Sequence, residues 1–318
     1  MTADVLIVGA TGQLGRHVLR QTLSRYEHVA VLMRRRSVAE AQRDIRTILG
    51  CSGTDLASRI SIVLGDARDA DLPTVSEVFN VGGYTNLAGS FDDHWRGNVL
   101  TTAHLCRHAA NVGARLNHIS TISVAVGRMT ALTENDAPIP TTTQTSYSYS
   151  KSLAELAARR LTPRDLCVYR VPDVIPPQGE IDGEIRKDHW LTLICGTGAV
   201  VSLPPSYTFH AVPADDLARA ILTASAMNES KCLHLFGPSY SLGMLAKMAM
   251  DDRPLPPHHR MGMAIGRLVT NGTPLPELVT QAETTRAFRA IGVEFEHVDE
   301  RYWQRFVAAA AAQFVVRH

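Results

Sequence analysis

The segment Gly9-Ala-Thr-Gly12-Gln-Leu-Gly15 constrains this chain more than any other. It joins a short β-branched run, Val5-Leu-Ile-Val8, to an amphipathic stretch from Leu14 to Leu23. Glycines at a strand-to-helix junction let the backbone turn tightly and let another group come close, and the amides of the helix start then hold an anion. The pyrophosphate of a dinucleotide is the ligand such a junction takes, with Gly9, Thr11, Gly12, Gln13, Leu14 and Gly15 as expected contacts. The spacing is GxxGxxG rather than GxGxxG, and a plain glycine turn would use the same residues. The place of the loop between a first strand and a first helix favours the dinucleotide.

The same alternation continues down the chain. Strand-like runs at Val29 to Met33, Ile60 to Leu64, within Val75 to Val81, at Leu116 to Ile119 and at Leu166 to Tyr169 are separated by helical patterns. These helical patterns lie at Ala39 to Leu49, Trp95 to Val112 and Ser150 to Arg160. Strands alternating with helices predict βαβ units, hence an α/β fold with a Rossmann-type, doubly wound parallel sheet. After Pro172 the pattern changes, and Pro176-Pro177, Pro204-Pro205 and Pro254-Leu-Pro-Pro257 punctuate the remainder. The expected organisation is a nucleotide-binding domain at 1–179 and 208–225 and a smaller C-terminal substrate lobe at 180–207 and 226–318. Phe209 to Ala224 is expected to return to the main sheet, and Tyr302 to Val316 to form a packing helix.

Composition narrows the partners. Thirty-two basic against 31 acidic residues leave a net charge of +1, so no global field draws nucleic acid or an anionic membrane to the protein. Five cysteines, Cys51, Cys106, Cys167, Cys195 and Cys232, lie far apart with no CxxC pair, which argues against a disulfide framework or a zinc site. The start of the chain lacks a basic leader, and no apolar run approaches the roughly 18 residues of a membrane span. A soluble, cytoplasmic protein without a metal is expected. Only four of the 32 basic residues are lysine, so a lysine inside a motif carries information.

One of the four is such a lysine. Among eight tyrosines only Tyr147 has a lysine four residues on, Lys151, and on a helix the two share a face. An adjacent ammonium favours the phenolate, and the pair suits a reaction in which tyrosine hands a proton to an oxygen that gains charge. Hydroxyls at the end of the preceding strand, Ser120, Thr121 and Ser123, offer a third group; Thr121 is the preferred donor, with the other two as rivals. Where the second strand ends, Met33 is followed by Arg34-Arg-Arg36 and not by the acidic residue that would accept ribose hydroxyls. Guanidinium groups there suit a 2′-phosphate, so NADPH is the expected cofactor with Arg34 as first contact, unless the arginines form a solvated loop. Asp66 and Ala67 stand where an adenine contact belongs, or in a simple strand-end turn.

Together these residues resemble the extended short-chain dehydrogenase/reductase family. Gly82-Gly-Tyr-Thr-Asn86, Asn98-Val-Leu-Thr-Thr102, His118-Ile-Ser-Thr-Ile-Ser-Val124 and Tyr169-Arg-Val-Pro172 are similar to its thioester reductase, or male-sterility-type, NAD-binding domains. Val212-Pro-Ala-Asp-Asp216 and Leu233-His-Leu-Phe-Gly-Pro238 extend the similarity over nearly the whole chain. Domains of that family terminate nonribosomal peptide and polyketide assembly lines and carboxylic acid reductases. The resemblance implies a Rossmann sheet with a substrate lobe and Thr121, Tyr147 and Lys151 as triad, Lys151 also holding the nicotinamide ribose. It further implies NADPH-dependent release of an acyl group from a carrier-bound thioester as aldehyde or alcohol.

The chain has no adenylation or carrier domain and its lobe is short, so a small free aldehyde, ketone or imine is the competing substrate class. Two other classes fit the scaffold: an NAD-dependent sugar-nucleotide epimerase or dehydratase, and a non-catalytic nucleotide-sensing module. The arginines at 34–36 weigh against the first and the Tyr147–Lys151 pair against the second. A homodimer is compatible with the class. Pro256-Pro-His-His-Arg260 reads as a solvated loop more readily than as a ligand pair or a basic docking patch for an acidic carrier. His210 reads as a packing residue more readily than as one facing the cleft, Tyr149 equally as a channel-lining or an exposed aromatic, and Trp190 as a lobe core residue.

Overall fold

The structure, a computed structural model, describes residues 3–50, 58–162, 165–181, 185–227, 231–249, 259–270, 279 and 282–314. The strands are β1 (Val5–Val8), β2 (Val29–Met33), β3 (Ile60–Leu64), β4 (Glu77–Asn80), β5 (Arg115–Thr121), β6 (Leu166–Val171), β7 (Asp173–Ile175), β8 (Thr208–Pro213), β9 (Cys232–His234) and β10 (Ser239–Ser241). Seven of them form one sheet in the order β3-β2-β1-β4-β5-β6-β9, every pair parallel. The order turns back between β1 and β4, and a parallel sheet opens its ligand crevice at such a point, beyond the carboxyl ends of the strands. β1 and β2 are buried at every position, as expected of apolar runs covered on both faces.

The helices are α1 (Gln13–Thr22), α2 (Val38–Leu49), α3 (Phe91–His94), α4 (Thr101–Val112), α5 (Ser146–Leu161), α6 (Trp190–Gly196), α7 (Ala214–Ala226), α8 (Leu242–Ala249), α9 (His259–Thr270), α10 (Ala282–Ile291) and α11 (Glu300–Ala312). On one face of the sheet Leu14, Val18 and Leu19 of α1 and Leu217 and Ile221 of α7 pack on Val5, Ile7 and Val31. On the other, Leu105 and Ala109 of α4 and Ala158 of α5 cover Leu6, Val8 and Leu116. The long helix expected at Trp95 to Val112 is interrupted: Trp95–Leu100 is a π-helical turn between α3 and α4. Such a turn rotates the side chains that follow it relative to those before.

A second core, built from Ile175, Trp190, Ile194, Phe209, Tyr240, Trp303 and Phe306, surrounds a small sheet in the order β10-β8-β7. The segment expected to return to the main sheet therefore divides. β8 belongs to the small sheet, pairing β7 in parallel and β10 antiparallel, while α7 lies on the main sheet beside α1. Cys232–His234, read from sequence as part of the lobe, is the seventh main-sheet strand, paired with β6. Three residues beside β6 complete their hydrogen bonds there, and their pattern alone does not distinguish the two sheets. α11 forms the expected terminal packing helix through Tyr302, Trp303 and Phe306; residues 315 and 316 lie outside the described residues.

Between β5, β6 and α5 lies a fully buried ion pair. Arg170 Nη2 donates to Glu155 Oε1 at 2.6 Å and Nε to Oε2 at 3.1 Å, and both side chains are inaccessible. Ser120 Oγ donates to the same carboxylate at 2.7 Å, and the carbonyls of Thr133 and Asp136 and the His234 ring nitrogen face the remaining Arg170 protons. Replacing Arg170 with Met leaves a buried, undercompensated carboxylate, and the expected cost is about 3–5 kcal/mol. That corresponds to a fall in thermal midpoint on the order of 10 °C for a chain of this size. Calorimetry should find it, and adding Glu155→Gln should recover much of the loss.

Candidate active site

The glycine loop sits at the switch point. Gly9 adopts φ +92°, and a Cβ there would lie 2.5 Å from the Gly82 backbone, so β1 and β4 meet without side chains between them. Gly15 packs against the Gly9 carbonyl, where a Cβ would lie 2.0 Å from the oxygen. Gly12 opens α1 with no side-chain cap and no acidic residue in the first turn, which leaves the helix-start amides to an incoming anion. Thr11 and Gly12 are exposed, Gln13 half-buried and Leu14 buried. The loop fits a dinucleotide pyrophosphate.

At the end of β2 the three arginines separate by partner. Arg35 Nε binds Asp44 at 2.5 Å, and the Arg36 backbone amide donates to Glu40. Arg34 is exposed and helps hold the Asp66 carboxyl below the usual range. The main cause of that lowering is Arg68, whose Nε donates to Asp66 at 2.7 Å while its amide donates at 3.1 Å. Asp66 thus closes its own turn beside Arg34, and Ala67 is buried behind it.

Thr145 caps α5 by accepting the Ser148 amide at 3.1 Å, which sets Tyr147 and Lys151 on one face of the helix. Lys151 is buried and its Nζ donates to the Ile119 carbonyl at 2.5 Å. Burial brings the ammonium down to about 8, opposed by Glu155. Tyr147 is pushed up to about 12 by burial, against hydrogen bonding with Thr121 and the charge of Arg186; Asp173 adds to the rise. The lowered tyrosine pKa expected from sequence is therefore reversed: the lysine is turned to a backbone carbonyl, and desolvation of the phenolate outweighs it. Of the three hydroxyls, Ser120 is held by Glu155, whereas Thr121 Oγ1 lies 2.9 Å from Ser123 Oγ and acts on the Tyr147 hydroxyl. Asn98 of the π-helical turn fixes the surroundings, with Nδ2 to Ser150 Oγ at 2.9 Å and Oδ1 accepting the Tyr84 amide at 2.8 Å.

A further group was missed in the sequence. Asp173 opens β7, two residues after Val171, the register partner of Thr121. Its Oδ1 accepts Trp190 Nε1 at 2.7 Å and lies 3.6 Å from His189 Nε2, and burial raises the carboxyl to about 7. Nearby, Arg186 is paired with Asp188 and donates to Thr85 Oγ1 at 2.8 Å. The signal available in sequence was a carboxylate directly after Tyr169-Arg-Val-Pro172, at the carboxyl end of a strand. Trp190 is a core residue with its indole N–H turned to the cleft, while His210 bonds the Gly237 carbonyl at 2.7 Å and packs on Phe236. Tyr149 packs edge-on to Phe91. Pro256, Pro257 and His258 lie outside the described residues, as does Cys51, and His259 bonds the Thr197 carbonyl.

A parallel sheet with a glycine loop at its switch point and a Thr-Tyr-Lys group beside it defines a nicotinamide-dependent oxidoreductase of the extended short-chain type. Residues 7–221 match the model of the male sterility protein family, and the chain belongs to that family of NAD-binding domains. No curated protein matches significantly. Among solved structures, the terminal R domain of the myxalamid PKS-NRPS pathway is 21% identical, with a TM-score of 0.78 over 98% of this chain and 91% of that one. The reductase domain of the aureusimine biosynthetic cluster is 18% identical, with a TM-score of 0.77 over 98% and 91%. MoeE5, solved with UDP-glucose and NAD, is 17% identical, with a TM-score of 0.66 over 98% and 100%. No helix among the described residues is long and apolar enough to cross a membrane.

The crowding at the loop sets an expected contrast. Gly15→Ala forces backbone against backbone and should abolish cofactor binding with a stability loss of about 1–3 kcal/mol. Gly12→Ala, whose Cβ would stand 3.3 Å from the nearest atom, should fold normally and bind more weakly. Calorimetric titration with NADPH and thermal melts of the two variants check this.

Proposed function

We propose that the protein is an NADPH-dependent reductase that acts on the carbonyl carbon of an acyl thioester, carrier-bound or small, and releases an aldehyde, or an alcohol after a second reduction. A related free carbonyl or imine carbon is the alternative acceptor. The observation that carries the proposal is Tyr147 on the same helical face as buried Lys151, whose Nζ is bonded to the Ile119 carbonyl two residues before Thr121 at the end of β5. When bound, the cofactor supplies the hydride. Tyr147, protonated at every physiological pH, gives its proton to the carbonyl oxygen as that oxygen gains charge, and Thr121 donates a hydrogen bond to the same atom. Hydride and proton together convert the thioester carbonyl to a hemithioacetal. Its C–S bond then breaks as the C=O re-forms, and the hydroxyl proton leaves with the departing thiol.

Lys151 holds the nicotinamide ribose in this reading, the loop from Gly9 to Gly15 the pyrophosphate, Arg34 the 2′-phosphate, and Asp66 with Ala67 the adenine. The lobe at 180–207 and 226–318 supplies the substrate side. The exposed guanidinium of Arg34, in a place where NAD enzymes carry an acid, supports NADPH over NADH. A sugar-nucleotide epimerase or dehydratase, the class of several neighbours solved with NAD, would keep a tightly held NAD and show no such preference.

Tyr147→Phe should lower kcat by about 10²–10⁴ with cofactor affinity nearly retained. Arg34→Ala should narrow the preference for NADPH over NADH by about tenfold or more. Steady-state oxidation of NADPH with acyl-pantetheine thioesters and aldehydes measures both, and failure with all of them sinks the reading. Lys151 carries its charge below about 8 and loses it above, so kcat/KM should fall on the alkaline side of that value.

A further inference from the structure

Asp173 is an ionisable group whose charge reaches Tyr147 and that the reduction does not use. It stands at the junction of the two sheets, with Ala211 as its register partner on β8. Oδ1 is engaged by Trp190 Nε1 and faces His189, while Oδ2 has no hydrogen bond or ion pair among the described residues. A quarter of its side chain remains accessible, so the carboxyl lines the cleft and is not sealed in the core. Its charge is felt by two hydroxyls around it, Tyr147 of α5 and Tyr207 before β8.

A carboxylate largely withdrawn from water ordinarily has a cation beside it. The two candidates here are both withdrawn. Arg186 is paired with Asp188 and bonded to Thr85, and His189 is held neutral near pH 7, brought down to about 4 by burial and by the charge of Arg186. The carboxyl rises to about 7 because burial is opposed only by the Trp190 hydrogen bond. The protein therefore presents an uncompensated acid, one oxygen fixed in orientation and the other open, beside the hydroxyl that protonates the substrate. A cationic ligand would supply the missing partner.

We propose that Asp173 is a specificity-determining residue of this cleft and selects substrates that carry a positively charged nitrogen close to the carbon that is reduced. The proposal rests on the reductase reading for its kinetic consequence but not for the binding itself. Two measurements keep the two apart. In the first, 15N-labelled protein is titrated with n-butylammonium chloride at pH 8, where Asp173 is ionised, and the indole N–H resonance of Trp190 is followed. It should shift with the ammonium and not with n-butanol, and a pH titration without ligand should move it with a midpoint of about 7. Both responses should vanish in Asp173→Asn, which keeps an oxygen for the Trp190 bond. In the second, turnover of 4-(trimethylammonio)butanal is compared with that of 5,5-dimethylhexanal, which has the same shape without the charge. The wild type should favour the cation, and Asp173→Asn should reduce the ratio of the two kcat/KM values by about tenfold or more. An indole resonance indifferent to butylammonium would overturn the proposal whether or not the protein reduces anything. Equal losses for both aldehydes would also overturn it, because Asp173 would then serve the reacting oxygen and not the charge.

Discussion

The geometry of the cleft depends on the buried pair of Glu155 and Arg170. Tyr147, Lys151 and Glu155 are spaced four apart on α5 and so share one helical face. Two of them are anchored to the sheet: Lys151 on the Ile119 carbonyl, and Glu155 on the guanidinium of Arg170 together with Ser120. These two attachments, one turn apart, fix both the rotation and the height of the helix against β5 and β6. The costlier of them is also the deeper. A buried ion pair is seldom the most stable use of a core position, but its bidentate geometry admits one register only. Ser120 is drawn into the same network, and that leaves Thr121, one residue on, to the cleft.

Burial sets the electrostatics of the site more strongly than any pair of charges within it. Tyr147 rises, Lys151 falls, His118 falls to about 3 and Asp173 rises to about 7, in every case with desolvation as the largest cause. Every one of these groups is pushed toward its neutral form. For Tyr147 this means that the hydroxyl keeps its proton at neutral pH.

The main sheet and the cofactor loop were legible from sequence because they obey strong local rules. Fully buried parallel strands read as apolar runs, and the loop needs glycine at Gly9 and Gly15 for steric reasons that no other residue satisfies. The pair Tyr147 and Lys151 was legible because lysine is rare here. What escaped is set by tertiary contact. β7, β9 and β10 have three residues each, too few for a period to declare itself, and only pairing decides which sheet takes them. The π-helical turn before α4 leaves the apolar pattern intact while rotating Asn98 into hydrogen bonds with Tyr84 and Ser150. Asp173 looked like any loop carboxylate, because its environment comes from His189 and Trp190, far along the chain.

A net charge of +1 conceals an uneven distribution across the crevice. On the nucleotide side an exposed arginine follows β2, and the nearby carboxylates Asp66 and Asp44 are engaged by Arg68 and Arg35. On the other side of Tyr147 the arginine is the group that is engaged, by Asp188, and the carboxylate is left open. The two ends are complementary in sign, one able to accept an anion and the other a cation, with the proton donor between them. A ligand pair that matched this polarity would meet attraction at both ends, while either molecule in the wrong end would face repulsion or a desolvated group without a partner. Selectivity can therefore arise without any long-range field. It needs only local pairing: Arg68 engages the carboxylate on one side and Asp188 engages the arginine on the other, so the sign left over differs.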